Sequence, residues 1–285
     1  MPRVALTEVV ASAEHEGGIV GAFTCYTLEQ VTGVLLAAES AHQPVCLLLA
    51  EAAMRRPGGR LLARTLVTAA DSALVPVAVQ LDHTHDLELM AQALDLGVTA
   101  VMADGSALPL GENVEVVTAA RRLAEPYGAS IEAELAHVPG DEDSATATEV
   151  QSVTDVARAA QFVDRTGTDL LAVAIGNVHG TYASAPNLDL TLLAELFAAV
   201  PVPLTLHGTS GVPEEQVRGA IRHGIRKINV NTELRQAYIR AARRVTADEV
   251  RGWNLLTPAD RLIEATRAVT ATHIRRCRNA LASIS

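Results

Sequence analysis

Pro76-Val77-Ala78-Val79-Gln80-Leu81-Asp82-His83, followed by Leu87–Leu96 and then Ala100-Val101-Met102-Ala103, is the stretch on which the fold turns. The first run is short and mostly apolar, and it ends on two polar residues. The second carries apolar residues at Leu87, Leu89, Met90, Ala93, Leu94 and Leu96, helical spacing with a broad apolar face. The third is again a short apolar run. Strand, helix and strand in so few residues make a βαβ unit, whose two strands run parallel.

The same alternation runs along the whole chain. Candidate strands are Ile19–Thr24, Val45–Ala50, Pro76–Leu81, Ala100–Ala103, Ser130–Leu135, Leu170–Ile175, Leu204–Leu206 and Lys227–Val230. An open doubly wound sheet would accommodate them. Eight units in 285 residues favour closure, since a (β/α)8 barrel runs to about 250 residues. The expected fold is therefore α/β, a (β/α)8 TIM barrel forming a single domain over residues 1–285, with extra C-terminal helices. Hydrophobic residues make up 49% of the chain and aromatics only 3%, so the core must be Ala, Val, Leu and Ile, as suits parallel strands buried on both faces.

Punctuation supports the helices. Pro213-Glu214-Glu215 reads as a helix start, and Gly224 as a stop before the last strand. Thr257-Pro258 reads as a capping hydroxyl followed by Pro at the first helical position, opening a helical tail that turns basic at Arg275, Arg276 and Arg278. Asp141–Thr148 is polar and reads as a mobile loop.

Composition excludes several functions. A net charge of −10 argues against nonspecific nucleic-acid binding, and no apolar run of membrane-spanning length occurs. The N-terminus has no signal-like apolar core, and Cys25, Cys46 and Cys277 have no CxxC spacing. The expectation is a cytoplasmic protein with reduced thiols, with neither membrane nor nucleic-acid partners.

The chemistry collects at strand C-terminal ends. Asp82-His83 follows the third strand, Asp104 the fourth, and Glu134 ends the fifth. His179 follows the sixth, His207 the seventh, and Asn229-Val230-Asn231-Thr232 closes the eighth. In a parallel barrel these ends share one mouth, where barrel active sites lie. Three histidines at one mouth, with acids nearby, suit zinc, which takes three protein nitrogens and leaves a position open for substrate. Any one of them alone would more readily be a packed, hydrogen-bonded histidine; convergence argues otherwise. His15, His42, His223 and His273 fall on predicted helices and are read as packed, while His85 and His137 are open to either reading. Gly180, Gly208-Thr209-Ser210-Gly211 and Asn229–Thr232 follow strands six, seven and eight, the usual place for a phosphate held by backbone N–H groups.

At these residues the chain resembles the class II (zinc-dependent) fructose-bisphosphate and tagatose-bisphosphate aldolases. The resemblance spans about Gly18 to Ala237. It is strongest at Leu81-Asp82-His83, Asp104-Gly105-Ser106, Glu132-Ala133-Glu134-Leu135, Gly176–Gly180 with Tyr182, His207–Gly211, and Lys227-Ile228-Asn229-Val230 with Asn231-Thr232-Glu233-Leu234. The last segment looks more like the tagatose-bisphosphate branch. The resemblance implies reversible cleavage of a phosphorylated ketose to dihydroxyacetone phosphate and an aldehyde, through a zinc-stabilised enediolate. It implies His83, His179 and His207 as zinc ligands, Glu134 as an alternate or outer ligand, and Asp104 as a supporting or secondary-metal position. It implies Asp82 as the acid/base at the cleaved bond and Glu142 as the loop base at the donor carbon. Gly180, Gly208, Thr209, Ser210, Asn229, Val230, Asn231 and Thr232 match the segments that hold the dihydroxyacetone phosphate half. A monovalent cation and a homodimer or homotetramer belong to the same expectation. Lys227 is the only lysine of the chain; placed at the start of the eighth strand, it should lie opposite the mouth, which disfavours an imine mechanism.

The chain also departs from the family. Phe23-Thr24-Cys25-Tyr26 stands where an Asn-containing segment is usual, and Gln80 where a histidine is common. Ala136 and Pro139 replace loop glycines, which should stiffen the loop carrying Glu142. Ala183-Ser184 follows Tyr182 where a lysine is frequent, and the C-terminal Gly-Ser-x-x-basic ending is absent, leaving Arg275, Arg276 and Arg278 as substitutes near the far phosphate. These changes touch the distal half of the substrate. Two other readings compete: the same zinc site serving a different or nonphosphorylated substrate, or a hydrolase; and a non-catalytic barrel, which would predict broken metal ligands.

Overall fold

A computed structural model describes residues 3–140, 147–148, 150, 153–278 and 280–281. Eight parallel strands close into a barrel: β1 (Val20–Thr24), β2 (Val45–Ala50), β3 (Val77–Thr84), β4 (Ala100–Ala103), β5 (Ser130–Glu134), β6 (Leu170–Ala172), β7 (Leu204–Leu206) and β8 (Ile225–Val230). Neighbours in sequence are neighbours in the barrel, and β8 pairs with β1, Val20 opposite Lys227. The (β/α)8 expectation holds.

Local chemistry starts several helices just past the strand ends. The Asp86 carboxylate accepts from the Glu88 and Leu89 N–H groups and opens the helix Leu87–Leu96. Thr27, Asp155 and Asp189 do the same for Leu28–Ala41, Val156–Thr166 and Leu190–Ala199. Helix Leu6–His15 plugs the bottom of the barrel, packing Leu6, Val9, Val10 and Ala13 on the inward residues Val20, Ala22, Cys46, Leu48, Ala78, Ala100 and Leu170. Outward strand residues such as Val79, Leu81, Ile131 and Ile228 join the larger core under the helices.

Some boundaries differ from expectation. β3 runs on through Asp82-His83 to Thr84, β6 stops at Ala172, and β8 begins at Ile225. The tail helix is Leu256–Cys277 and its start is not capped by Thr257. Asn254 takes that role, its side-chain oxygen accepting the Thr257 N–H at 3.0 Å while its amide donates to Thr257 Oγ1. The helix buries Thr266, Thr270, His273, Ile274 and Cys277. Ala147–Thr148, at the end of the stretch read as a mobile loop, pairs in parallel with Thr181–Tyr182; Asp141 to Ala145 and Thr146, including Glu142, lie outside the described residues. Among the described residues no helix is long and apolar enough to cross a membrane.

Candidate metal centre

β3, β6 and β7 deliver the three histidines to the mouth. His83 sits where the β3–β4 register shifts between Leu81 and Thr84, and its backbone is left-handed, φ 45°. For a non-glycine residue that conformation costs on the order of 1–3 kcal/mol and persists only where surroundings enforce it. His179 and His207 are buried. Gly208, next to His207, has φ 64°, and a Cβ there would fall 2.0 Å from the Val178 oxygen, so the close passage of these two loops requires glycine.

Each histidine is oriented by an acceptor on its far nitrogen. His83 Nδ1 donates to Asp104 Oδ2 at 2.7 Å, His179 Nδ1 to the Val138 carbonyl at 3.2 Å, and His207 Nε2 to Glu132 Oε1 at 2.9 Å. Carboxylates and carbonyls only accept, so these nitrogens carry the protons and the other three are lone pairs. Those three converge: His83 Nε2 lies 2.8 Å and His179 Nε2 3.4 Å from His207 Nδ1. The three could bind one ion together. Converging lone pairs repel unless a cation lies between them. Burial opposes charge on His83, but Asp82, Asp104 and Glu134 hold its imidazolium well above the ordinary range. That direction shows how strongly the surrounding acids favour positive charge at this point, and three imidazole nitrogens aimed at it are a donor set that suits zinc.

The acids divide into two kinds. Asp104 and Glu132 are resisted by burial but are held well below the usual carboxylate range, Asp104 by His83 and Ser106, Glu132 by Lys227 and His207. Glu134 goes the other way. Burial, then Asp104, pushes its carboxyl up to about 8; Oε1 accepts the Val138 N–H at 2.7 Å and Oε2 has no partner among the described residues. Its oxygens lie close enough to His83 and Asp104 to form a second candidate ion site. Asp82 is buried and lines the mouth cavity, about 470 Å³, with His83, Asp104, His137, His179, Glu51 and Arg55.

A second cavity of about 430 Å³ opens beside the centre, lined by Gly180, Tyr182, Ser210, Gly211, Thr232 and Glu233 among others. Gly180, Ser210 and Thr232 therefore meet as expected. Thr209 is buried, donating to the Asn229 carbonyl, and Val230 belongs to the core. Asn231 donates to the Tyr26 hydroxyl at 3.1 Å. Of the arginines expected near the far phosphate, Arg276 is engaged with Glu214 at 2.6 Å. His273 is packed, as read, against Glu233.

Lys227 corrects the sequence reading. It does not sit away from the mouth. Its side chain is fully buried inside the barrel, and Nζ donates to Glu132 Oε2 at 2.8 Å and to Asn229 Oδ1 at 2.7 Å. Its strand starts two residues earlier than expected, at Ile225, so Lys227 is the third residue of β8 rather than the first, and its side chain points into the barrel beneath the metal centre. Burial opposes its charge, but negative surroundings, Glu132 foremost, outweigh that and its pKa is raised. Glu132 itself was missed. Its signal was its spacing from Glu134, two residues on and therefore on the same face of β5. Tyr182, whose hydroxyl donates to the Gly208 carbonyl at 2.8 Å and accepts the Val178 N–H at 3.2 Å, braces the two glycine loops together.

Comparison with known proteins agrees with this geometry. The family described as Fructose-bisphosphate aldolase class-II matches residues 4–283. A fructose-bisphosphate aldolase of Geobacillus stearothermophilus is 36% identical over 284 residues, 98% of this chain and 96% of that protein. One from Staphylococcus epidermidis is 37% identical over 248 residues, covering 86% of each chain. Among solved structures, the YdjI aldolase from Escherichia coli K12 superposes with a TM-score of 0.85 at 30% identity, covering 98% of both chains.

Proposed function

The chain belongs to the class II fructose-bisphosphate aldolase family, a family of lyases, and from that premise we propose how its own residues carry the family reaction. That reaction is the reversible cleavage of a phosphorylated ketose to dihydroxyacetone phosphate and an aldehyde. His83, His179 and His207 would hold zinc, with Glu134 as an alternate ligand and Asp104 orienting His83. Zinc, when bound, supplies a Lewis acid that stabilises negative charge on the donor-half oxygens. Asp82 takes the proton from the hydroxyl at the bond to be cleaved and returns it in the reverse direction. Its burial at the cavity wall beside His83 supports that role. Glu142 exchanges the proton at the donor carbon. Gly180, Gly208, Thr209, Ser210 and the segment Asn229–Thr232 hold the donor phosphate; the lining of the second cavity by Gly180, Ser210, Gly211 and Thr232, at the N-terminus of helix Thr232–Ala242, supports this.

One observation carries the reading: three histidine nitrogens converge while each opposite nitrogen is satisfied by an acceptor-only partner. Metal analysis combined with a coupled assay for dihydroxyacetone phosphate, over a panel of ketose bisphosphates and monophosphates, tests it. Bound zinc, and release that disappears on chelation, are expected. Absence of zinc, or release that survives both chelation and Asp82→Ala, would refute it. The same reading takes residues 1–285 as one barrel domain in a cytoplasmic homodimer or homotetramer, with an accessory monovalent cation. Light scattering and activity in potassium against sodium check the last two.

A further inference from the structure

Of the 23 basic residues all but one are arginine, and the single lysine is among the most completely buried residues of the barrel. A compact ammonium fits where a guanidinium fork would not, and it can direct its donors to partners in different directions. Lys227 uses two of them at once. One reaches Glu132 Oε2 at 2.8 Å, and the other oxygen of that carboxylate accepts from His207 Nε2 at 2.9 Å. The other reaches Asn229 Oδ1 at 2.7 Å, and the amide of Asn229 faces both Asp82 carboxylate oxygens at 3.5 Å. Gln80 Nε2 adds a second donor to Glu132 Oε2 at 3.1 Å, so that oxygen is held from two sides.

We propose that Lys227 is a positioning residue for both halves of the metal centre, setting His207 through Glu132 and the Asn229 amide beside Asp82 directly. The inference rests on the reading of the three histidines as metal ligands. Lys227 itself is not among the residues that line either cavity. Along the first arm, Lys227 holds Glu132 Oε2 while Oε1 accepts from His207 Nε2, which leaves His207 Nδ1 turned toward its fellow ligands. Along the second, it fixes which way the Asn229 amide points, so that its N–H groups face the carboxylate of Asp82. Among the described residues Lys227 is the only basic side chain paired with Glu132 besides His207.

The test measures zinc affinity of the full chain by competition with a chelator, and separately kcat and KM at saturating zinc. Glu132→Gln and Lys227→Met are each expected to weaken zinc binding by about 10–100-fold, the usual effect of losing an outer partner of a ligand histidine. Lys227→Met/Glu132→Gln should be no weaker than the worse single variant, because both act along one path. At saturating zinc, Lys227→Met, which frees Asn229 as well as Glu132, should lower kcat by about tenfold or more, and by more than Glu132→Gln, which still accepts from Lys227 and leaves Asn229 held. If Lys227→Met fails to fold, the double variant carries the test, since it removes both buried charges together. Zinc affinity within about threefold of wild type in the double variant would overturn the proposal and leave a purely structural ion pair. A wild-type chain that binds no zinc overturns the metal-centre reading itself, which the same titration reports separately.

Discussion

Glu134→Gln should stabilise the metal-free chain at alkaline pH and leave it nearly unchanged in mild acid. Glu134 ends β5 wholly buried, its Oε1 on the Val138 N–H and its Oε2 without a partner among the described residues. Burial, then the charge of Asp104, raises its pKa from 4.5 to about 8, against the opposing pull of His83. The folded chain thus binds this proton more tightly than the unfolded chain does. Stability that comes from a raised pKa is complete below the unfolded value, declines as pH rises, and is gone once pH passes the folded value. At about 1.4 kcal/mol per tenfold, the interval from 4.5 to about 8 corresponds to about 5 kcal/mol at most. Glutamine does not ionise and keeps a carbonyl for Val138, so it escapes that loss. Urea unfolding of chelator-treated wild type and variant, at about pH 5 and about pH 9, reads the difference. The variant should gain about 3–5 kcal/mol on the wild type between the two conditions. A relative gain below about 1 kcal/mol would refute the reasoning, because it would mean that the buried carboxyl titrates as it does in water.

Three further outcomes follow from the site. Asp82→Ala should keep its zinc while cleavage falls by about 10²–10⁴-fold, the contribution of a positioned acid/base; metal analysis beside the coupled assay checks both halves. Gly208→Ala places a Cβ 2.0 Å from the Val178 oxygen at φ 64°, so it should raise KM for the ketose and lower the melting temperature, and a variant with wild-type kinetics would contradict the close packing of the two loops. Glu142→Ala should retain zinc yet lose solvent-proton exchange at the donor carbon of dihydroxyacetone phosphate, measured by deuterium incorporation; undiminished exchange would move the loop base elsewhere.

Much of the fold was legible because barrel strands end where chemistry begins. A run such as Val77–Leu81 can be read as a strand from its apolar character, and Asp82-His83 marks where polar groups collect toward the mouth. The extension of β3 to Thr84 was not legible. It depends on the register shift against β4 and on the left-handed backbone of His83, which no local preference of histidine announces. The start of the tail helix was misjudged for a local reason: Asn254 and Thr257 both carry capping oxygens three residues apart, and it is the Asn254 oxygen that accepts the Thr257 N–H.

The layer beneath the mouth was harder to read, and the reason lies in barrel closure. Ser130-Ile131-Glu132-Ala133-Glu134 and Lys227-Ile228-Asn229-Val230-Asn231 alternate polar and apolar residues, the pattern of a strand with one wet face. A closed barrel has no wet face. Its polar alternates point inward, where every one needs a partner. Given closure, a glutamate and the chain's one lysine, both inward, had few groups to pair with except each other, and they pair. The charge pattern was therefore evidence about the interior once the fold was fixed, and it bears on function because the glutamate's other oxygen is spent on His207. A lysine read from its place in the strand as remote from the mouth is, through one carboxylate, two hydrogen bonds from the imidazole of a candidate metal ligand. Its ammonium is held by Glu132 and Asn229, and that engagement, more than distance, argues against an imine at this residue.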